Sequence, residues 1–173
     1  MPVNDEFDLT IFQDLPLDHG CNSPMTMLWP QAVKDGKWPA ALVPFAINVL
    51  QHPVPTPTRC YKLGKAVRRA IESYPEDLKV VVAGTGGLSH QMIGERAGFN
   101  NEKWDLEFLE LIERDPERLA GMSVEDFMRL GGNEGAEVIM WLIMRGALAP
   151  KARKVHQNYY LPMTTAMAVA VFE

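Results

Sequence analysis

"KVVVAGTGGLSHQ", Lys79–Gln91, is the stretch on which the fold turns. Val80, Val81 and Val82 are consecutive β-branched residues. A short apolar run bounded by turn signals predicts a strand buried on both faces. Gly84, Gly86 and Gly87 then supply a turn, and His90 follows at the carboxyl end of that strand, the edge where open α/β sheets hold small molecules. The loop is not a phosphate cradle, because GxxxxGK followed by Ser or Thr is missing. It is not a dinucleotide fingerprint either, because Leu88 and Ser89 stand where the third glycine belongs. Nor is it a nucleophile elbow, because Gln91 stands where the second glycine of GxSxG belongs after Ser89. Two readings of His90 remain: a positioned acid/base, suited by its near-neutral titration, or an imidazole that caps the turn.

Outward from this stretch, Phe7–Leu15 and Ala41–Leu50 read as further strands, with a loop between them that includes "PLDHGCNSP". The three prolines of Gln51–Thr58 exclude a helix interior, and Thr58 offers an N-cap. Cys60, Leu63, Val67, Ile71 and Tyr74 then recur at helical steps. Trp104, Phe108, Leu111 and Ile112 mark one face of a helix within residues 100–121. Ser123 and Asp126 form a capping pair for a short helix. "EGAEVIMWLIMRGAL" is a helix apolar nearly all round, hence buried, and closed by Gly146. "TTAMAVAVFE" is a last strand. Alternating strands and helices predict a layered α/β fold in one domain, residues 1–173, without internal repeats.

The 173 residues suffice for one core, and 47 % apolar with 23 % charged residues is an ordinary globular composition. A formal net charge of −5 with no basic run argues against nucleic acid as a partner. No apolar stretch is long enough to span a bilayer, and "MPVNDEFDLT" lacks the basic and apolar regions of a signal peptide. Cys21 and Cys60 suggest neither zinc nor a disulfide framework, which fits a reducing cytoplasm.

"GTGGLSHQ", "GERAGFNNEKWDLEFL" and "GGNEGAEVIMWLIMRGAL", preceded by "RCYKLGKAVRRAIESYPEDLKV", closely resemble the class III extradiol ring-cleavage dioxygenases. The resemblance runs from about Leu15 to the C-terminus. It is strongest to the catalytic β chains of the protocatechuate 4,5-dioxygenase and gallate dioxygenase type. It implies an α/β/α domain with a central mixed sheet. It also implies cleavage of a catecholic aromatic acid by O₂ at an Fe(II) held by two histidines and a carboxylate.

On that resemblance His90 matches the acid/base histidine and Glu137 the iron carboxylate. Glu134, one turn earlier, is the competitor, and both carboxylates also have a plain reading as partners of a helix dipole. Asp18 and His19 match a loop beside the substrate, with His19 a donor to a substrate hydroxyl or to bound oxygen. Thr164 and Thr165 fall where the protocatechuate enzymes carry a Ser-Asn pair on the substrate carboxylate; a hydroxyl still donates, but the lost amide puts protocatechuate itself in doubt. His156 and Tyr159 lie nearby, and His52 reads as structural.

The family's two iron histidines have no counterpart among His19, His52, His90 and His156. The sequence therefore reads as the C-terminal portion of such an enzyme, active with a complementing N-terminal segment. The alternative is a metal-free remnant that binds aromatic acids or serves as a structural subunit. An α chain or domain and a homo- or hetero-oligomer are the implied protein partners; a membrane is not.

Overall fold

The computed structural model describes residues 3–173. Met1 and Pro2, which open the stretch read as lacking a signal sequence, lie outside the described residues. Two compact units are present: Leu9–Ile47, and residues 3–8 together with Asn48–Glu173. No described helix is long and apolar enough to cross a membrane.

In the smaller unit, helix α1 (His19–Leu28) is followed by α2 (Pro30–Asp35). The Asp18 side chain caps α1 by accepting from the Cys21 amide at 3.2 Å, and Gly36 ends α2 in the left-handed conformation.

The larger unit is built on α3 (Pro57–Glu72), α4 (Glu102–Arg114), α5 (Pro116–Ala120), α6 (Val124–Gly131) and α7 (Ile139–Ala147). Helix α3 begins earlier than its periodicity suggests. Thr56 is its N-cap, accepting from the Arg59 amide at 3.2 Å, and Pro57 takes the first helical position. Thr58, the expected cap, instead donates its hydroxyl to the Ala120 carbonyl at 2.6 Å. The run at residues 100–121 is two helices, because Pro116 cannot continue the first and Asp115 caps the second. Ser123 and Asp126 form the expected capping box of α6.

Helices α3 and α7 pack backbone to backbone through Gly64 and Gly146. Gly146 does not end α7, which runs to Ala147; its missing side chain lets Tyr61 and Gly64 approach. Below this pair lies an aromatic cluster. Phe108 meets Phe127 and Trp141 edge-on at centroid distances of 6.4 and 5.8 Å, and Trp104 meets Phe127 at 5.7 Å. Arg145, 4 % exposed, has its guanidinium satisfied by the carbonyls of Ile112, Ala149 and Pro150. It thereby ties the end of α7 to the end of α4.

The described residues contain helices and one two-stranded antiparallel sheet, β1 (Lys154–Tyr160) against β2 (Met167–Phe172), a combination compatible with an α/β family fold. β2 is the expected last strand; β1 was not expected. The hairpin is anchored on one face of α4. The Lys154 amide donates to Glu113 at 2.9 Å, its ammonium to the Leu109 carbonyl at 2.6 Å, and the Tyr159 hydroxyl to Asp105 at 3.0 Å.

Phe7–Leu15, Ala41–Leu50 and Lys79–Gly84 are not strands here. Val81 is 82 % exposed, the reverse of a strand buried on both faces. The physical reason is non-local: a strand needs a neighbour for its N–H and C=O groups, and no described segment pairs with Lys79–Gly84.

Cys21 and Cys60 are both free thiols. Burial pushes the Cys60 thiol up from 9.0 to about 11, opposed by the charge of Arg59. The unfolded chain therefore gives up this proton first. The stability that Cys60 contributes is complete below pH 9 and is lost as pH rises through about 11. Denaturation midpoints measured between pH 8 and 11 are expected to fall less steeply for Cys60→Ala than for the parent chain. Parallel profiles would exclude the thiol as a source of alkaline instability.

Candidate active site around Gly87

The glycine stretch ends in a tightly held loop. The Leu88 amide donates to the Ala166 carbonyl at 2.9 Å and the Ala166 amide to the Ser89 carbonyl at 3.2 Å, so the loop pairs with the chain just before β2. His90 forms an isolated antiparallel bridge with Thr165. Its amide donates to the Gly131 carbonyl at 2.8 Å, and its carbonyl accepts from the Gly135 amide at 3.2 Å. A Cβ at Gly135 would stand 3.1 Å from the His90 nitrogen and from the Leu88 oxygen. Glycine is needed there for the two backbones to touch.

His90 is 7 % exposed. Its Nδ1 lies 2.7 Å from the Leu88 carbonyl oxygen. A carbonyl can only accept, so Nδ1 carries a proton and the neutral ring keeps its lone pair on Nε2. That is the tautomer required of a base acting through Nε2.

Glu137 comes to the same loop from Glu134–Val138, which forms a 3₁₀ turn ahead of α7 rather than its first α-helical turn. Its Oε2 accepts from the Gly87 amide at 3.1 Å. Gly86, at φ 121°, leaves room for it; a Cβ at Gly86 would sit 3.0 Å from the Cβ and carbonyl oxygen of Glu137. On the other side of Gly87, an added Cβ would lie 3.0 Å from His90 Cε1 and 3.1 Å from Thr165 Cγ2. One glycine thus has the carboxylate on its amide and the imidazole and a threonine methyl against its Cα. Glu134 turns elsewhere, its Oε2 accepting from the Met92 amide at 3.2 Å.

The structure therefore brings His90, Glu137 and Thr165 together. Thr164 joins through its backbone. The Asn100 side-chain amide donates both to the Ser89 carbonyl at 2.8 Å and to the Thr164 carbonyl at 3.0 Å. Asp18 and His19 belong to the Leu9–Ile47 unit, where both are exposed, Asp18 as the α1 cap and His19 as its first residue. His156 is exposed on β1. His52 lines a surface depression of about 410 Å³ with Thr56, Ser123 and Glu125, none of them a candidate site residue.

Sequence reasoning missed Asp105. It is fully buried and accepts from the Ser89 amide at 2.8 Å, the Ser89 hydroxyl at 2.6 Å and the Tyr159 hydroxyl at 3.0 Å. Burial pushes its carboxyl up; the hydrogen bonds from Ser89 and Tyr159 and the charge of His90 pull the other way. Burial, then the Asp105 charge, raises the Tyr159 phenol in turn. A signal was present, since Asp105 stands three, four and seven residues before Phe108, Leu109 and Ile112. It is an acid on the apolar face of its helix.

Residues 2–172 match the family described as the catalytic LigB subunit of aromatic ring-opening dioxygenase. The chain belongs to this family. Among the relatives of this LigB-family chain is the gallate dioxygenase of Pseudomonas putida, 56 % identical over 169 residues, which cover 98 % of this chain and 49 % of that protein. Two more distant relatives are 2,3-dihydroxyphenylpropionate/2,3-dihydroxicinnamic acid 1,2-dioxygenases. The one from Dechloromonas aromatica is 24 % identical over 96 % of this chain and 65 % of that protein. The one from Azotobacter vinelandii is 27 % identical over 93 % and 64 % respectively. The LigB-family chain thus spans about half the length of the gallate dioxygenase it matches.

LigB-family enzymes are in general iron-dependent. Among the described residues no group of three His, Cys, Asp or Glu side chains is arranged to hold a metal. Glu137 offers one carboxylate, and Nδ1 of His90 is committed to Leu88. A ferrous site of the two-histidine, one-carboxylate kind is not met by this donor set alone.

Proposed function

We propose that this chain supplies the acid/base histidine and the iron-facing carboxylate of an extradiol dioxygenase that opens gallate or a closely related catecholic acid with O₂. The observation that carries the reading is the meeting of His90 and Glu137 on the two sides of Gly87, in a chain 56 % identical to a gallate dioxygenase.

In this reading His90 Nε2 takes the proton of a catechol hydroxyl, which makes the ring more electron-rich, and the resulting imidazolium later returns a proton to an oxygen of the product. Burial beside Gly87 keeps bulk water from competing for that proton. The hydroxyls of Thr164 and Thr165 face the carboxylate of the acid, and the roles that the family resemblance assigns to Asp18 and His19 are substrate binding and donation to a substrate hydroxyl. The imidazole donors that complete the Fe(II) site come from outside the described residues, from the remaining length that the relatives carry or from a partner chain. An α chain or domain and a multimeric assembly complete the enzyme. The Lys79–Gly84 segment and the β1–β2 hairpin belong to a central mixed sheet in the layered α/β/α fold of that assembly.

Iron-supplemented protein, combined with the portion of the gallate dioxygenase that this chain does not match, is expected to consume one O₂ per gallate. Oxygen uptake and loss of the aromatic absorbance give the readout. No uptake with gallate, protocatechuate or 2,3-dihydroxyphenylpropionate would overturn the reading. In the same assembly, Glu137→Gln is expected to lose bound iron after gel filtration, whereas Glu134→Gln keeps it. Metal analysis with the opposite result would move the ligand to Glu134.

A further inference from the structure

The acid/base reading gives His90 a task but leaves unexplained the one fully buried carboxylate beside it. Asp105 lies in the first turn of α4 at 0 % exposure, with no lysine or arginine among the described residues as its ion-pair partner. Its two oxygens are consumed by three donors, two of them from Ser89, the residue directly before His90. Burying a carboxylate without a counter-charge is costly, and replacing such a site by apolar packing is often neutral or better for stability. With only the adjacent imidazole as a source of opposing charge, the arrangement is explained if it fixes a geometry.

The geometry fixed is that of the Leu88–His90 backbone. Asp105 holds the Ser89 amide from one side, and Asn100 and Ala166 hold the Ser89 carbonyl from the other. The Ser89 hydroxyl, donating to Asp105, also accepts from the Asn101 amide at 2.8 Å. The peptide between Leu88 and Ser89 therefore cannot rotate, and its carbonyl is the group that Nδ1 of His90 contacts at 2.7 Å. We propose that Asp105 is a positioning residue for His90. By clamping Ser89, with Tyr159 closing the third contact, it aims the Leu88 carbonyl at Nδ1 and so keeps Nε2 as the proton-free nitrogen. Tyr159 extends the clamp to β1, which α4 also holds at Lys154.

This inference rests on the acid/base role of His90, but its test needs no turnover. Long-range ¹H–¹⁵N spectra of the uniformly labelled chain report which imidazole nitrogen carries the proton in each of its four histidines, and His90→Gln assigns the His90 signals by their loss. The parent chain is expected to show neutral His90 as the Nδ1–H tautomer. Asp105→Asn keeps the size but replaces an acceptor by a donor, and Ser89→Ala removes only the hydroxyl. Both are expected to shift His90 toward a mixture with the Nε2–H tautomer, and Tyr159→Phe to a smaller extent. A cooperatively folded Ser89→Ala or Asp105→Asn chain with an unchanged His90 tautomer overturns the proposal. If Asp105→Asn does not fold, Ser89→Ala decides. In the assembled enzyme Asp105→Asn is expected to lower kcat by about 10²-fold at constant KM, as misplacing a reactive group does. A ring-cleavage assay that fails in the parent chain overturns the functional reading and leaves the tautomer result standing.

Discussion

Glutamine in place of His90 is expected to lower kcat for ring cleavage by about 10²- to 10⁴-fold, the usual contribution of a positioned acid/base. Binding of the catecholic acid is expected to change little. Glutamine retains a side-chain donor of similar reach, so the contact with the Leu88 carbonyl can be kept while the titrating nitrogen is lost. The loop itself should survive, because its backbone contacts to Gly131, Gly135, Thr165 and Ala166 do not involve the imidazole. The measurement is steady-state kinetics in the iron-loaded assembly, with gallate affinity determined separately by anaerobic titration. A variant that keeps kcat within about threefold would return His90 to the plain reading of a turn cap. A variant that loses gallate affinity instead would make it a binding residue.

The second large effect concerns the pairing of α3 with α7. Gly64→Ala is expected to destabilise the larger unit by about 3 kcal/mol, at the upper end of overpacking costs. A Cβ at Gly64 would fall inside the Ile143 carbonyl oxygen and lie 2.9 Å from both the Ile143 carbonyl carbon and Gly146 Cα. All three are backbone atoms, so no side chain can swing aside, and the two helices must separate along their whole contact. The gain in helix propensity from glycine to alanine, about 1 kcal/mol, acts against this and is too small to offset it. Urea midpoints and thermal melts give the measure, with an expected fall in Tm of about 10 °C. Gly121→Ala is the control: its Cβ would meet nothing closer than 3.4 Å. Equal stability of Gly64→Ala and the control would show that the two helices tolerate a wider spacing.

The helices were legible because their information is local. Cys60, Leu63 and the aromatic residues of α4 repeat at three- and four-residue steps, and Ser123 and Asp126 write a capping box into four consecutive positions. The strands were not, because strand formation is decided by partners far along the chain. Val80–Val82 carry the composition of a buried strand, and still Val80 and Val81 lie exposed where no described neighbour is paired to them. β1 was overlooked for the complementary reason, since "KVHQNYY" is polar and hardly alternates. Gly146 shows how one residue type serves two ends. It reads as a helix terminator, yet it is the contact that brings two helices together. Of the candidate site, the resemblance singled out His90 and Glu137. The clamp on Ser89 was hidden, because an aspartate in the first turn of a helix looks like a partner of the helix dipole until its neighbours at three, four and seven residues are counted.

The Asn100 side chain, which bonds at once to the carbonyls of Ser89 and Thr164, joins two functions that a designer would wish to vary separately. If Thr164 and Thr165 select the acid and His90 handles its proton, then choosing a new substrate and preserving the rate are not independent problems in this molecule. A substitution that reshapes the selecting loop pulls on the same amide that steadies the proton carrier. Variants broadened in substrate range will show the strain first as slower chemistry on the original compound.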